Sequence, residues 1–341
     1  MYYCSHYPHA VALCVLTMLC WGSWGNTQKL AGKTWRYEFF YWDYVLGLVL
    51  FALAAGLTLG STGEMDTWNF TSNLCSAPAK TLLGPLAAGI IFNAANILLV
   101  ASIAIAGMAV AFPVGVGLAL VGGTAANHLV DHKGNPALIW CGLILIVASI
   151  LCDAFAFRIR NRACLAKTDP KALRKGLMLA AAAGILMSFF SPLVNRAIDL
   201  EFASAAPKEG LLTPYVAFFV FTLGVLVSNF VWNTLAMRFP VSGEPARGRD
   251  YFRGKPATHL VGLLGGGIWA CGTLISFVAA GTAGAAIAYA LGQGATLVAA
   301  LWGILVWREF KGAPRVCTWL NVSMVLLFAA GLYLIVRAGQ C

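Results

Sequence analysis

The sequence predicts an all-α membrane protein in which ten transmembrane helices form two inverted repeats of five helices each. Three observations support this fold class. The chain is 60% hydrophobic and only 11% charged, which is far more apolar than a soluble domain requires. It contains ten apolar segments of the roughly 20-residue length that a bilayer crossing needs. One of these segments also recurs, with a neighbour, in the second half of the chain.

The apolar segments follow one another along the whole of the 341 residues. The first has no basic stretch before it and no evident small-residue cleavage site, so we expect it to be a retained span rather than a signal peptide. The ten predicted spans are 9–28, 38–60, 81–104, 107–130, 137–157, 176–196, 212–236, 258–280, 284–307 and 317–337.

The internal repeat defines the predicted domain organisation. Residues 89–123 align without a gap with residues 266–300, each residue lying 177 positions from its counterpart. Glycines coincide in this alignment at Gly107 and Gly284, and again at Gly115 and Gly292. Five spans per half is an odd number, so the second half must enter the membrane in the opposite orientation, as in many secondary transporters. We therefore predict a first repeat at 1–160, a basic linker at 161–175 and a second repeat at 176–341.

The formal net charge of +10 is concentrated at one end of the predicted bundle. Most of the 23 Lys and Arg residues fall in the segments that follow odd-numbered spans, at 29–36, 158–175, 238–255 and 308–315. The positive-inside rule assigns these segments to the cytoplasm. We therefore expect a multi-pass protein of the plasma (inner) membrane with both termini outside. The positive charge is then a signal for membrane orientation, and we expect no nucleic-acid partner.

Asp43 is the candidate proton-coupling residue. The apolar run Val45–Leu59 is too short to cross the bilayer unaided, so the second span must extend back to about Phe40. This places Asp43 at the cytoplasmic edge of the hydrocarbon layer, where a charge costs roughly 2.5–3.5 kcal/mol on insertion scales. A carboxylate there is protonated, paired or facing a wet cavity. The alternative is an interfacial Asp within an aromatic belt that includes Tyr41 and Tyr44.

Uncharged hydrogen-bonding side chains and tryptophans lie at mid-depth in several predicted spans. Unpaired amides are costly in lipid, so we expect these groups to face the protein interior. Amides supply both donors and acceptors, and indole faces stack on sugars or flat heterocycles, so the set predicts a site for a small neutral polar solute. Bonding between helices is the alternative role for each group. The predicted substrate-binding residues are Trp21, Trp24, Asn26, Asn93, Asn96, Asn229, Trp232, Trp269, Thr273, Tyr289 and Gln293.

The sequence gives no sign of an enzyme. It has no P-loop, no HExxH and no GxSxG motif, so neither an ATP-driven pump of the P-loop type nor the corresponding hydrolases is predicted. The ten cysteines show no CxxC spacing and no zinc-like Cys/His cluster. We expect no cofactor and no metal. Cys4, Cys75 and Cys341 lie on the predicted outer side, which leaves a disulfide open.

Several short motifs resemble one family of carriers. They are Gly22-Ser23-Trp24, Tyr41-Trp42-Asp43-Tyr44, Asn96, Gly123-Thr124 with Asn127 and Asp131, Trp302-Gly303-Ile304-Leu305 with Glu309-Phe310, and Asn321-Val322-Ser323-Met324. With ten spans in two inverted halves, the chain resembles the drug/metabolite transporter superfamily. Within it, the likeness is to the clan of ureide permeases, glucose/ribose porters and rhamnose–proton symporters.

The resemblance implies a central cavity lined by spans one to four and six to nine, with spans five and ten at the periphery. It also implies uptake by alternating access, driven by protons, with Asp43 matching the second-span Asp of ureide permeases. One departure favours a sugar porter: plant ureide permeases carry a long central cytoplasmic loop, whereas here the loop is only Arg158–Lys175.

The sequence therefore predicts a secondary active transporter that imports a small neutral polar solute, with a monosaccharide favoured and proton symport as the driving mechanism. A ureide or nucleobase permease is the first alternative, and a metabolite or drug exporter of the same fold is the second. A membrane-embedded enzyme or flippase-like scaffold is disfavoured, because no cluster of intramembrane carboxylates or histidines is evident. The predicted partners are the solute, protons and the lipid bilayer, and a homodimer stays open.

Overall fold

The computed structural model describes residues 1–32, 35–62, 69–106, 108–162, 170–202, 208–240, 244–308 and 310–340. Gly107, Glu309 and Cys341 from the preceding section lie outside these residues, as does much of the predicted linker. The helices are α1 (Tyr7–Ser23), α2 (Gly25–Ala31), α3 (Tyr37–Leu57), α4 (Phe70–Ser76), α5 (Ala79–Ala106), α6 (Met108–His128), α7 (Pro136–Arg162), α8 (Pro170–Asn195), α9 (Pro214–Arg238), α10 (Gly248–Tyr251), α11 (Pro256–Ala283), α12 (Ala285–Gly292), α13 (Ala295–Leu301), which continues into a π-helical turn (Trp302–Val306), and α14 (Arg315–Ala338).

The all-α membrane class is confirmed. In the described part of the chain, nine helical segments are long and apolar enough to cross a bilayer, and no strand occurs beyond an isolated bridge between Ile198 and Leu212. Helix α6 has 21 residues and corresponds to the fourth predicted span. The arrangement is thus compatible with ten spans. Pro at the first position of α9 and α11 starts those helices without losing a backbone bond, since the first amides have no intrahelical acceptor.

The two halves pack their helices in matching pairs. Helix α3 lies against α11, and α9, its equivalent in the second half, lies against α5. In the first pair, Gly266 faces the carbonyl oxygen of Tyr44 so closely that no Cβ would fit. In the second pair, Gly89 faces the carbonyl oxygen of Phe221 in the same way. Gly89 and Gly266 are repeat mates, and Tyr44 and Phe221 are separated by the same 177 positions.

A second set of contacts repeats this correspondence. Gly47 meets the carbonyl oxygen of Leu263, and Gly224 meets that of Leu86. These residues are again related by 177 positions. Small residues at these four points let the helix backbones approach closely, which is how helices associate without a hydrophobic driving force in lipid. The repeat visible at residues 89–123 therefore extends, in the packing, to α3 and α9.

Equivalent helices of the two halves run in opposite directions where they meet. At the α3–α9 contact, the Asn233 amide near the end of α9 donates to the carbonyl of Glu38 at the start of α3 over 2.9 Å. At the α7–α14 contact, Ser149 at the midpoint of α7 donates to the carbonyl of Met324 near the middle of α14. Cys317 at the start of α14 lies against Ala156 in the last third of α7. These directions are compatible with the predicted inverted repeat.

The close glycine contacts give a prediction about stability. Gly266→Ala should lower the melting temperature of the purified protein, because the new Cβ forces α3 and α11 apart, at a cost of about 1–3 kcal/mol. Gly267→Ala is the matched control, since Gly267 has nothing within 4 Å of an added Cβ. Thermal unfolding in detergent measures both variants. Equal melting temperatures would contradict the close packing.

The ends of the bundle differ in charge. The N-terminal segment contacts the end of α3 and α14, since Tyr2 donates its amide to Leu59 and the Tyr7 hydroxyl donates to Val336 over 2.6 Å. Both termini therefore lie at one end. The basic segments around Arg36, Arg238 and Arg315 lie at the other, which we call the basic end.

Candidate functional site

An aromatic layer occupies the centre of the bundle. Trp269, at the midpoint of α11, stacks on Trp21 with 6.1 Å between ring centroids. Its repeat mate Phe92 lies 4.7 Å away, with the two rings tilted by 35°. Phe221 and Tyr44 flank Trp269 from α9 and α3, at 6.2 and 6.4 Å. Five helices thus bring rings to one point. We call these five side chains the central layer.

Polar side chains border the central layer on the side of α3, α5 and α9. The Tyr41 hydroxyl donates to the Asn93 Oδ1 over 2.9 Å and accepts from the Asn96 Nδ2 over 3.1 Å. The Asn93 amide also donates to the Ser228 hydroxyl over 2.9 Å and to the Val225 carbonyl over 3.2 Å. All five residues are buried. The structure therefore brings Asn93 and Asn96 to the same hydroxyl and engages Asn93 fully within the protein.

The predicted residues of α1 and α11 also meet at the layer. The Trp21 indole donates to the Thr273 hydroxyl over 2.9 Å, and that hydroxyl donates to the Trp269 carbonyl. Trp24 lies 4.8 Å from the Tyr44 ring. The bond to Thr273 thereby fixes the orientation of the Trp21 indole against the Trp269 ring.

Asn229 differs from the other amides because its side chain is completely buried and has no partner in the described part of the chain. Among the described residues, neither its Nδ2 nor its Oδ1 has a hydrogen-bond partner. It follows Ser228, which bonds α5, and lies one turn before Asn233, which bonds α3. The Tyr44 hydroxyl is likewise buried without a partner in the described part of the chain. Both side chains thus keep unused hydrogen-bonding capacity within the described part of the chain.

Tyr289 and Gln293 lie on the far side of the layer. The Tyr289 hydroxyl donates to the Ala119 carbonyl over 3.1 Å, and its ring is 6.0 Å from Phe190, which in turn lies 5.2 Å from Phe92. Gln293 follows one turn later and is half-buried. Tyr289 is connected to the layer through Phe190.

Two predicted residues are not brought to the layer. Asn26 lies at the basic end, where it donates to the Ser23 carbonyl and accepts from the Trp307 indole over 2.7 Å. Trp232 is 37% exposed on the outer face of α9, so the expectation that it faces the interior is wrong. The sequence could not separate these positions, because a single helix carries both inward and outward polar or aromatic residues.

Asp43 is held in a cluster near the basic end. Its side chain is buried, and the Tyr251 hydroxyl donates to its Oδ1 over 2.5 Å. The His259 Nδ1 lies 2.9 Å from each carboxylate oxygen. Trp35 packs edge-on against His259 at 5.2 Å. Burial, followed by the bond to Asp43, raises the pKa of Tyr251, so this hydroxyl stays protonated and remains a donor.

His259 and Tyr251 were missed by sequence reasoning, which found no intramembrane carboxylate–histidine cluster. They lie more than two hundred positions from Asp43, in the first turn of α11 and in the short α10. The repeat gave no signal for them, because it relates α3 to α9 and α5 to α11 and says nothing about the contact between α3 and α11.

At the opposite end, Asp131 connects the two halves. Its Oδ2 accepts from the backbone amide of Ala285, the first residue of α12, over 3.1 Å, and Lys133 donates to the Gly281 carbonyl over 2.8 Å. Burial raises the pKa of Asp131, against the opposing influence of Lys133. The carboxylate thus caps a helix that belongs to the other repeat.

This contact gives a second prediction. Asp131→Ala should lower stability by about 1 kcal/mol through loss of the cap, while Asp131→Asn, which keeps an acceptor, should lie close to wild type at pH 7. Because the folded-state pKa is raised, the folded chain holds this proton to higher pH than the unfolded chain does. The contribution of Asp131 to stability therefore falls as pH rises above the ordinary carboxyl range. Between pH 4 and 7, the melting temperature of Asp131→Asn should depend less on pH than that of the wild type. The same pH dependence in both proteins would refute the raised pKa of Asp131.

A transmembrane helical bundle is compatible with the family that comparison with known proteins finds. The ureide permease family model matches residues 151–338, which is more than half of the chain. The chain belongs to the ureide permease family. This confirms the resemblance inferred from the short motifs, and it establishes a membrane transporter of small solutes rather than an enzyme.

Curated ureide permeases are similar along nearly their whole length. Ureide permease 1 of Arabidopsis thaliana is 25% identical over 385 residues, covering 96% of this chain and 96% of the relative. Ureide permease 4 of Arabidopsis thaliana is 22% identical with 99% of each covered, and probable ureide permease A3 of Vigna unguiculata is 21% identical with 90% and 96% covered. A crystal structure superposes with a TM-score of 0.60 at 16% identity, covering 97% of this chain and 98% of that one, which shows a shared fold.

Some residues of the family-like motifs form hydrogen bonds between the two halves of the chain. The Trp302 indole of the ninth-span motif donates to the Ser23 hydroxyl of the first-span motif over 2.9 Å. Asn127 of the fourth-span motif accepts from the Asn195 amide at the end of α8 over 2.7 Å. These motif residues join helices and lie away from the central layer.

Proposed function

We propose that this protein imports a ureide by proton symport and alternating access, with the solute bound at the central layer. The names of the similar proteins favour the ureide alternative over the monosaccharide that the short central loop suggested. A flat, neutral molecule with adjacent N–H and C=O groups fits the chemistry of the layer.

Asn229 is the observation that carries this proposal. Burying an amide with no partner costs about 1–3 kcal/mol, and such a cost persists in a protein when the group serves a ligand. A carboxamide offers one donor face and one acceptor face, and a ureide offers the complementary pair. The unpartnered Tyr44 hydroxyl, which belongs to the central layer, is a further donor or acceptor.

The aromatic rings support a planar solute. Trp269 and Trp21 are within 14° of parallel, and Trp269 and Phe221 are within 23°. Stacked rings of this kind accept a flat heterocycle between them after a modest separation. A nucleobase shares the flat shape and the amide-like edges, so it is the alternative substrate that the same geometry supports.

The Asp43 cluster supports proton coupling. A buried carboxylate bonded to an imidazole and a phenol can gain or lose a proton with its partners still in place. It lies where α3 and α11 meet α10, so a change in its charge acts on helices that reach the central layer. The amides beside the central layer suit a polar solute better than the apolar cavity of an exporter, which supports import. The positive-inside rule supports a plasma-membrane protein with the basic end in the cytoplasm and both termini outside.

A ligand screen with the purified protein tests the substrate class. Allantoin, uracil and glucose represent a ureide, a nucleobase and a monosaccharide. A ligand that binds the folded protein raises its melting temperature in a concentration-dependent way. We expect allantoin to give the largest shift. A shift with glucose and none with allantoin or uracil would overturn the substrate assignment.

A further inference from the structure

A long apolar groove runs along the membrane-facing side of α3 and α9 to the basic end. It encloses about 620 Å³. One wall is a stripe of α9 residues spaced one turn apart, Leu226, Phe230, Thr234 and Arg238, and the other is Trp42 and Leu46 of α3. From Leu226 to Arg238 the groove extends about 18 Å along the helix, which is close to the depth of one leaflet of the hydrocarbon layer.

The groove ends beneath a basic, partly aromatic cover. Ala246, Gly248, Tyr251 and Phe252 line the groove at this end, and Phe252 is 82% exposed. This cover is fixed to α9, because the Ala246 amide donates to the Met237 carbonyl over 2.9 Å. Apolar walls with an exposed Phe at the membrane edge fit an acyl chain better than they fit water.

Charge at the rim indicates the kind of lipid. Segment 238–255 carries Arg238, Arg247, Arg249, Arg253 and Lys255 against only two acidic residues. Asp250 forms an ion pair with Arg253 at 3.3 Å. Arg247 and Arg249 are exposed and lie on the same short segment as the cover. Arg238 lines the groove where the apolar stripe ends. An arginine placed there can reach a phosphate headgroup with the acyl chain lying against Phe230.

We propose that this groove binds an anionic phospholipid of the leaflet at the basic end, with one acyl chain between α3 and α9 and the phosphate at Arg238 and Arg249. The bound lipid contacts Tyr251, whose hydroxyl donates to Asp43. The lipid therefore holds α10 against the Asp43 cluster and connects membrane composition to that cluster.

Lipid retention by the full-length protein tests the binding. Native mass spectrometry after exchange into dioleoyl phosphatidylglycerol or dioleoyl phosphatidylcholine should show retained phosphatidylglycerol on the wild type and little phosphatidylcholine. The double variant Arg238→Gln/Arg249→Gln should retain about tenfold less phosphatidylglycerol, as expected for removing two cations from a headgroup. Arg174→Gln/Lys175→Gln removes the same charge from the same end outside the groove and should retain wild-type levels. Equal loss in both double variants would overturn the site.

A matched pair of substitutions tests the apolar part of the groove. Thr234→Trp fills the groove and should reduce phosphatidylglycerol retention, whereas Leu235→Trp places the same ring on an exposed neighbouring position that does not line it. The measured masses also report the oligomeric state. A wild-type dimer that Thr234→Trp converts to a monomer, without a change in lipid retention, would assign the groove to a second copy and refute the lipid site.

The regulatory consequence rests on the proposed function. Uptake into liposomes should rise with the phosphatidylglycerol fraction for wild type and not for Arg238→Gln/Arg249→Gln. Retention is measured without transport, so failure of the lipid site and failure of the transport assignment give different results. Lipid retention with uptake that ignores the phosphatidylglycerol fraction would refute the regulatory step alone.

Discussion

Asn229→Leu should abolish ureide binding and uptake while leaving the protein at least as thermally stable as the wild type. The side chain is completely buried, and among the described residues both of its polar atoms lack partners. Replacing such a group by an apolar one of similar size removes a desolvation penalty of about 1–3 kcal/mol. Its melting temperature should therefore rise, and the allantoin-dependent increase in melting temperature should disappear.

Asn93→Leu is the control for this prediction. Asn93 is equally buried, but its amide bonds Tyr41, Ser228 and the Val225 carbonyl. Its replacement leaves those groups without partners, so we expect a lower melting temperature. If Asn229→Leu were destabilised as much as Asn93→Leu, an internal partner for Asn229 would be indicated, and the assignment of its amide to a solute would fail.

The class of fold and the centre of the bundle could be predicted from the sequence, because apolar segment length and the internal repeat are local patterns that a sequence shows directly. Apolar length gave the spans, and the 177-residue offset paired Phe92 with Trp269, which the structure places 4.7 Å apart. The same offset also relates the glycine contacts of α3 with α11 to those of α9 with α5. Those contacts extend the repeat beyond the aligned segment.

The rotation of individual side chains could not be predicted in the same way. Asn229 and Trp232 are three residues apart on one helix, yet one is fully buried and the other is 37% exposed. Helix α9 is apolar on all sides, so its polar pattern does not identify the inward face. The partners of Asp43 were missed for a related reason: they reach it from a loop helix and a helix start, where local spacing carries no information about the contact.

Asp43→Asn should abolish accumulation driven by a proton gradient and leave exchange of labelled for unlabelled solute intact. An asparagine can still accept from Tyr251 and bond His259, so the cluster keeps its geometry while losing the titrating carboxylate. Exchange needs only the opening and closing of the loaded carrier. Accumulation needs a group that carries a proton in one direction. Proteoliposome assays with and without an imposed pH difference measure the two separately.

Glu38→Gln is the matched control, because it removes a carboxylate from the same helix only five positions away. Glu38 is bonded to Arg36 at 2.8 Å near the basic end, and such partly exposed pairs contribute about 0–1 kcal/mol. Glu38→Gln should therefore accumulate solute as the wild type does. Equal loss of exchange and accumulation in well-folded Asp43→Asn would make Asp43 a structural residue. Full accumulation in Asp43→Asn would move proton coupling to another group, and His259→Gln, assayed in the same way, would then show whether the imidazole carries the proton. Loss of accumulation with exchange preserved, in Asp43→Asn and not in Glu38→Gln, is the one outcome that a purely structural carboxylate cannot produce.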